Sequence, residues 1–92
     1  MTIPRISVII PVYNTEAYLR PLFDSLCRQI FTDFEIVVIN DGSTDNSLGV
    51  ISKYSSFFGP RLRIYSQENK GLSSTRNIGI SRAKGKYISF ID

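Results

Sequence analysis

Apolar positions fall into two alternating kinds of segment along the chain. Ile6–Tyr13 (ISVIIPVY), Phe34–Asn40 (FEIVVIN), Leu62–Ser66 (LRIYS) and Tyr87–Ile91 (YISFI) are short and rich in β-branched or aromatic residues, and Asn, Asp, Gly or Pro bound them. That is the pattern of strands. The first two are almost continuously apolar, as strands covered on both faces of a parallel sheet must be. Between the strands the spacing becomes helical. Leu19, Leu22, Phe23, Leu26, Cys27 and Ile30 recur at the intervals of one helix face. Proline disrupts a helix interior, so the main helix is expected to begin near Arg20, with Pro21 in its first turn. Cys27, on the apolar stripe, reads as a small core residue. A second helix is predicted to follow Thr44 or Asp45, both good N-caps. Leu48, Ile51, Tyr54 and Phe58 mark its buried face and Gly59-Pro60 its stop. A third is predicted from about Leu72 to Ala83, with Gly85 placed as its terminating glycine.

The order β-α-β-α-β-α-β predicts an α/β fold: a Rossmann-like, three-layer arrangement of about four parallel strands with helices on both faces. Ligands of such sheets bind at the carboxyl ends of the strands. Those ends carry Pro11-Val12-Tyr13-Asn14, Asn40-Asp41-Gly42-Ser43-Thr44-Asp45 and Asp92. With the strands in the order 3-2-1-4, Asp41 and Asp92 would lie roughly 10 Å apart across the cleft, which suits a nucleoside at one end and phosphates with a metal at the other.

Composition narrows the chemistry. The 92 residues are 42% hydrophobic and 21% charged, as in an ordinary globular domain. With no histidine and one cysteine, Cys27, the chain holds neither a Cys–His nor a Ser–His nucleophilic pair, and no internal disulfide. A tetrahedral zinc site is disfavoured for the same reason. No apolar run is long enough to span a bilayer and no signal-peptide pattern is present, so the expected location is the cytoplasm. The net charge of +3 is concentrated after Pro60, where Arg61, Arg63, Lys70, Arg76, Arg82, Lys84 and Lys86 face only Glu68 and Asp92. An anionic partner fits that asymmetry. The first strand ends without the glycines of a dinucleotide fingerprint or a phosphate-cradling P-loop. It also lacks the acidic residues of a phospho-receiver.

Four segments carry a resemblance: Ser7–Asn14 (SVIIPVYN), Val38–Asp45 (VINDGSTD), Asn69–Gly79 (NKGLSSTRNIG) and Tyr87–Asp92 (YISFID). In order and spacing they resemble the successive motifs of family 2 glycosyltransferases, which have the GT-A fold. The resemblance implies that residues 1–92 form the N-terminal, nucleotide-sugar-binding part of such a domain, without its acceptor-binding half. By the same resemblance, Pro11, Val12, Tyr13 and Asn14 line the nucleotide cleft, and Asp41, beside Gly42, contacts the nucleobase, usually uracil. A carboxylate can accept a hydrogen bond from a base N–H. Arg76 matches an arginine that lies against the base or phosphates. Lys70 and Gly71 precede a helix N-terminus, where N–H groups favour anions. Asp92 matches the first carboxylate of the family's D-x-D-type motif, which holds Mn²⁺ or Mg²⁺ through hard oxygen ligands. The implied reaction moves a sugar from a nucleotide diphosphate, UDP above all, to a glycan or lipid-linked acceptor in polysaccharide or glycoconjugate synthesis. No catalytic base is assigned within these residues, and the 92 residues alone are expected to be inactive. Nucleic acid is not an expected partner. Self-association through an exposed sheet edge and peripheral membrane association of a longer parent, at the inner face of the membrane, are further expectations. The alternative class is a nucleotide-binding or interaction module without catalysis.

Overall fold

The computed structural model of the chain describes residues 3–91. Four parallel strands, β1 (Ile6–Val12), β2 (Phe34–Asp41), β3 (Leu62–Gln67) and β4 (Tyr87–Phe90), form one sheet in the order β3-β2-β1-β4. This is the expected order. The register pairs Ile6 with Phe34 and with Tyr87, and Ile36 with Leu62, so all four strands start at the same end of the sheet. Every residue of β2 is buried. Side chains alternate across the pleat. Val8, Ile10, Val12, Ile36 and Val38 pack with Leu19, Phe23, Leu26, Ile51 and Phe58 on one face, while Ile9, Val37 and Ile39 meet Tyr65, Ile78 and Ala83 on the other. The first face carries helices α1 (Glu16–Cys27), α2 (Ser47–Ser52) and α3 (Ser55–Phe58), and the second carries α4 (Leu72–Arg82). No helix among the described residues is long and apolar enough to cross a membrane.

Four local expectations are corrected. Helix α1 begins at Glu16, so Pro21 lies inside it. Proline there costs about 3 kcal/mol. Burial of Leu19, Phe23 and Leu26 contributes about 1.5–3 kcal/mol for each side chain and outweighs that cost. The helix stops at Cys27, so Ile30 leaves the apolar stripe and is 98% exposed. The single helix expected to end at Gly59 is two, interrupted at Lys53-Tyr54, and Leu48 is exposed. Serine is a weak helix former, and the Ser52 hydroxyl donates to the Leu48 carbonyl at 2.8 Å. The break turns Tyr54 so that its hydroxyl donates to Asp24 Oδ1 at 2.6 Å and its ring lies 5.1 Å from that of Phe23. Gly85 does not end α4, whose C-cap is Ala83 in an extended conformation. A Cβ at Gly85 would stand 2.6 Å from the Ser7 backbone nitrogen, so glycine is required there for the chain to pass against β1.

On the α4 face, at the start of the strands, lies a buried ion pair. Arg63 Nε donates to Glu35 Oε1 at 3.0 Å, Ser7 Oγ donates to Glu35 Oε2, and the Lys84 N–H donates to the same oxygen at 2.7 Å. Burial alone would raise the Glu35 carboxyl pKa. The Ser7, Lys84 and Arg63 contacts outweigh it and hold the carboxyl below its ordinary range. The pair ties β1, β2, β3 and the segment after α4 together.

Candidate functional site

At the opposite end, the strands finish at Val12, Asp41 and Gln67. Here two loops are locked to each other. Asn14, at φ +52°, turns its Oδ1 toward the loop after β2, where it accepts from the Thr44 N–H at 2.7 Å and the Asp45 N–H at 3.3 Å. Asparagine tolerates that left-handed conformation better than most residues. Asp45 answers from the other side. Its Oδ2 accepts from the Glu16 N–H at 3.2 Å and its Oδ1 from the Ser47 N–H at 2.9 Å. One carboxylate thus serves the first N–H of α1 and of α2, where the helix dipoles favour negative charge. The Ser47 hydroxyl is the largest influence on the Asp45 carboxyl, and together with these N–H groups it lowers the pKa.

Asp41 ends β2 and is 4% exposed. Its Oδ1 accepts from Gln67 Nε2 at 2.9 Å and the Lys70 N–H at 2.8 Å, and its Oδ2 from the Gly71 N–H at 3.0 Å and Asn69 Nδ2 at 3.3 Å. Burial on its own would raise this carboxyl. The hydrogen bonds from Gln67, Lys70, Gly71 and Thr75 prevail and lower it. A carboxylate offers about four lone-pair directions, so Asp41 is fully engaged within the chain. The N–H groups of Lys70 and Gly71, expected to face a ligand anion, hold Asp41 instead. Gly42, at φ +75°, makes this possible, because a Cβ there would lie 2.8 Å from the Asn69 backbone nitrogen.

Above this clasp a cleft of about 270 Å³ is lined by Pro11, Val12, Tyr13, Thr15, Asp41, Asn69, Gly71, Leu72 and Thr75. The predicted residues Pro11, Val12, Tyr13, Asp41 and Gly71 therefore meet in one place. Tyr13 is half exposed at its wall. Asn14 and Gly42 shape the cleft from outside it. The Lys70 side chain lines a different hollow, with Tyr65, Gln67 and Arg82. Arg76 lies on α4 with its guanidinium 5.9 Å from the centre of the Phe90 ring, beside the cleft and not in its lining. Asp92 lies outside the described residues. No group of three or more carboxylate, cysteine or histidine side chains that could hold a metal occurs among the described residues. With Asp41 engaged, those residues do not by themselves fit a divalent cation.

Besides Leu72, three polar lining residues escape the sequence reading. Thr75 is 1% exposed on the sheet side of α4 and donates to the Gly71 carbonyl at 2.7 Å. Its signal was a polar residue one turn after Gly71 on the inward face. Asn69 reads as ordinary turn chemistry until its contact with Asp41 is seen. The Thr15 hydroxyl is buried against the cleft without a hydrogen-bond partner among the described residues. Nothing in its spacing distinguishes it.

The family model for glycosyl transferase family 2 matches residues 7–92. The chain belongs to glycosyl transferase family 2. Among similar proteins, glycosyltransferase GlyA of Streptococcus pneumoniae is 49% identical over 88 residues, covering 96% of this chain and 12% of that protein. Chondroitin synthase of Pasteurella multocida is 45% identical over 91 residues, covering 98% of this chain and 9% of that protein. The solved structure of S. aureus TarS 1-349 in complex with UDP superposes with a TM-score of 0.88 at 37% identity, over 96% of this chain and 27% of that one. The family 2 chain thus spans under a third of each of these proteins, and the superposition confirms the Rossmann-like, GT-A arrangement of its sheet and helices.

Proposed function

We propose that this family 2 chain binds and orients the nucleotide-diphosphate sugar, UDP-linked above all, for transfer of the sugar to a glycan or lipid-linked acceptor. The observation that carries the reading is the cleft at the carboxyl ends of β1 and β2, walled by Pro11–Tyr13 and by the Asp41 clasp. The same end of the fold lies within the superposition on a protein solved with UDP. An apolar wall beside an exposed tyrosine ring accepts a planar base by stacking. The Thr15 hydroxyl supplies a donor with no partner among the described residues. Leaving it unpaired costs about 1–3 kcal/mol, which a polar ligand atom or a water relieves. Asp41, ionised and held from below, sets the negative potential of the floor and fixes the turn that starts α4. A base N–H approaching the cleft meets that carboxylate only if one internal donor yields. Asp92 is the proposed divalent-cation ligand, and polysaccharide or glycoconjugate synthesis the proposed setting, in keeping with the likeness to chondroitin synthase.

Calorimetric titration with UDP, with and without Mn²⁺, tests this. Thr15→Val removes the hydroxyl at nearly constant shape and is expected to weaken UDP binding about 3- to 10-fold. Tyr13→Ala should weaken it further through lost stacking. If the chain binds UDP and both variants bind it as tightly, the ligand lies elsewhere and the reading fails. Tightening by Mn²⁺ that disappears in Asp92→Asn supports the metal assignment; tightening that persists in Asp92→Asn refutes it.

A further inference from the structure

Parallel strands put all their starts at one end, and this sheet gathers several exposed cations there, with Arg61 half-buried beside them. Arg5 precedes β1, Arg28 follows α1, Arg61 precedes β3, and Lys84 and Lys86 precede β4. The other end carries Glu16, Asp41, Asp45 and Glu68 against Lys70 and Arg76. At the basic end the one exposed carboxylate among the described residues is Asp33, which accepts from the Arg5 N–H at 3.2 Å, since Glu35 is buried with Arg63. The same end exposes apolar side chains without a core to join. Ile30 is 98% exposed, Ile3 75% and Phe57 60%, with Phe31 beside Ile30. Rings underlie two of these cations, Phe34 and Phe58 being buried and Tyr87 exposed. Arg61 lies 4.6 Å over the Phe34 ring and 5.5 Å from that of Phe58, and Lys86 lies 5.7 Å from the ring of Tyr87. Ile3, Asp33, Pro60, Arg61 and Lys84 border one shallow hollow of about 360 Å³.

We propose that this end of the molecule, opposite the cleft, docks on an anionic lipid surface, with Ile30 and Phe57 entering the headgroup layer and Arg5, Arg28, Arg61, Lys84 and Lys86 meeting lipid phosphates. Charge and apolar exposure together select this occupant. Interfacial binding combines shallow apolar insertion with attraction of Lys and Arg to acidic headgroups. Aliphatic tips such as Ile3 and Ile30 have no counterpart on a nucleic-acid backbone. A symmetric second copy would oppose two basic ends, since a two-fold interface places the same patch on both partners. The seven residues of β1 span about 20 Å, so docking in this orientation holds the cleft on the water side, open to a soluble nucleotide.

Vesicle co-sedimentation of the chain tests the surface. Neutral phosphatidylcholine vesicles are compared with vesicles containing about one-third phosphatidylserine, at about 0.05 M and 0.5 M salt. Binding to the anionic vesicles is expected to be at least about tenfold tighter, with part of it surviving high salt. The pair Ile30→Ser and Phe57→Ser should remove the salt-resistant part, and Lys84→Glu with Lys86→Glu should remove the preference for acidic lipid. All four positions are exposed, and an unchanged melting temperature will show that the fold is intact. Equal binding to both vesicle types, or an apolar pair that binds as the parent does, overturns the proposal. So does a short DNA duplex that binds the apolar pair and the parent equally and displaces vesicles, which would make the end a general polyanion site. Concentration-dependent self-association that Lys84→Glu with Lys86→Glu abolishes, without vesicle binding, would assign the end to a head-to-tail contact between copies instead.

Discussion

Asp41 is a charge held at the end of a buried strand by donors from β3, from the following turn and from α4. Charge-assisted hydrogen bonds of this kind contribute about 1.5–3 kcal/mol each way they are broken. Asp41→Asn keeps the shape but turns one acceptor into a donor facing the Lys70 or Gly71 N–H, and is expected to destabilise the fold by about 2–3 kcal/mol in urea unfolding. The pH dependence follows from the same geometry. Asp41, Glu35 and Asp45 all have carboxyl pKa values lowered by folding. The unfolded chain therefore binds protons first as pH falls. The stabilisation is complete above the ordinary carboxylate range near pH 4 and is lost as the pH drops through the folded values. Thermal unfolding should show a melting temperature flat above about pH 5.5 and falling steeply below about pH 4. A melting temperature that rises on acidification would contradict this assignment. The roles of these residues were only partly legible in the sequence. Asp41 is conspicuous in an Asp-Gly turn, but its donors Gln67, Asn69, Lys70 and Gly71 lie 26 to 30 positions away, and no local pattern encodes such pairings.

Strands β1 and β2 follow directly from spacing, because burial on both faces leaves a nearly continuous apolar trace, whereas α4 buries only Thr75 and Gly79 and is marked in the sequence by the Asn69-Lys70-Gly71 turn before it. The departures occur where a tertiary contact outweighs a local preference. Pro21 argues against an early helix start, yet the Asp45 carboxylate anchors the Glu16 N–H and the buried face of α1 carries the helix through. Pro21→Ala restores a backbone N–H able to donate to the Ala17 carbonyl. The gain, about 3 kcal/mol of helix cost less about 1 kcal/mol of unfolded-state entropy, predicts roughly 2 kcal/mol of added stability by urea titration. An unchanged midpoint would mean that the helix already bends to accommodate the ring. The split between α2 and α3 has the same origin, since the reach of Tyr54 to Asp24 is invisible in a helical wheel.

Across the whole molecule the sheet is unevenly protected. The strand β3 edge is flanked by polar Ser66 and Gln67, whereas β4 presents Tyr87, Ile88 and Phe90, each exposed. Unpaired, apolar edges recruit partners. Sedimentation velocity is expected to show reversible self-association of the chain, and Ile88→Lys with Phe90→Lys should render it monomeric. A monomer at high concentration before substitution would show that the edge is harmless. This edge was predictable from the strand order, but the clustering of cations and apolar tips at the opposite end was not. Ile30 reads as a core position until the helix is seen to stop at Cys27.

The central position of β1 also orders events in time. Its neighbour β2 is the next strand in the chain, whereas β4, its other neighbour, is encoded nearly the whole chain later, with Ile6 opposite Tyr87. A β1-α1-β2 unit can therefore collapse while later residues are still being made, and β4 joins by a long-range closure that is slow by comparison. Substitutions in the β1–β2 pairing should slow refolding, whereas those in β4 should chiefly hasten unfolding, the signature of a strand added after the rate-limiting step.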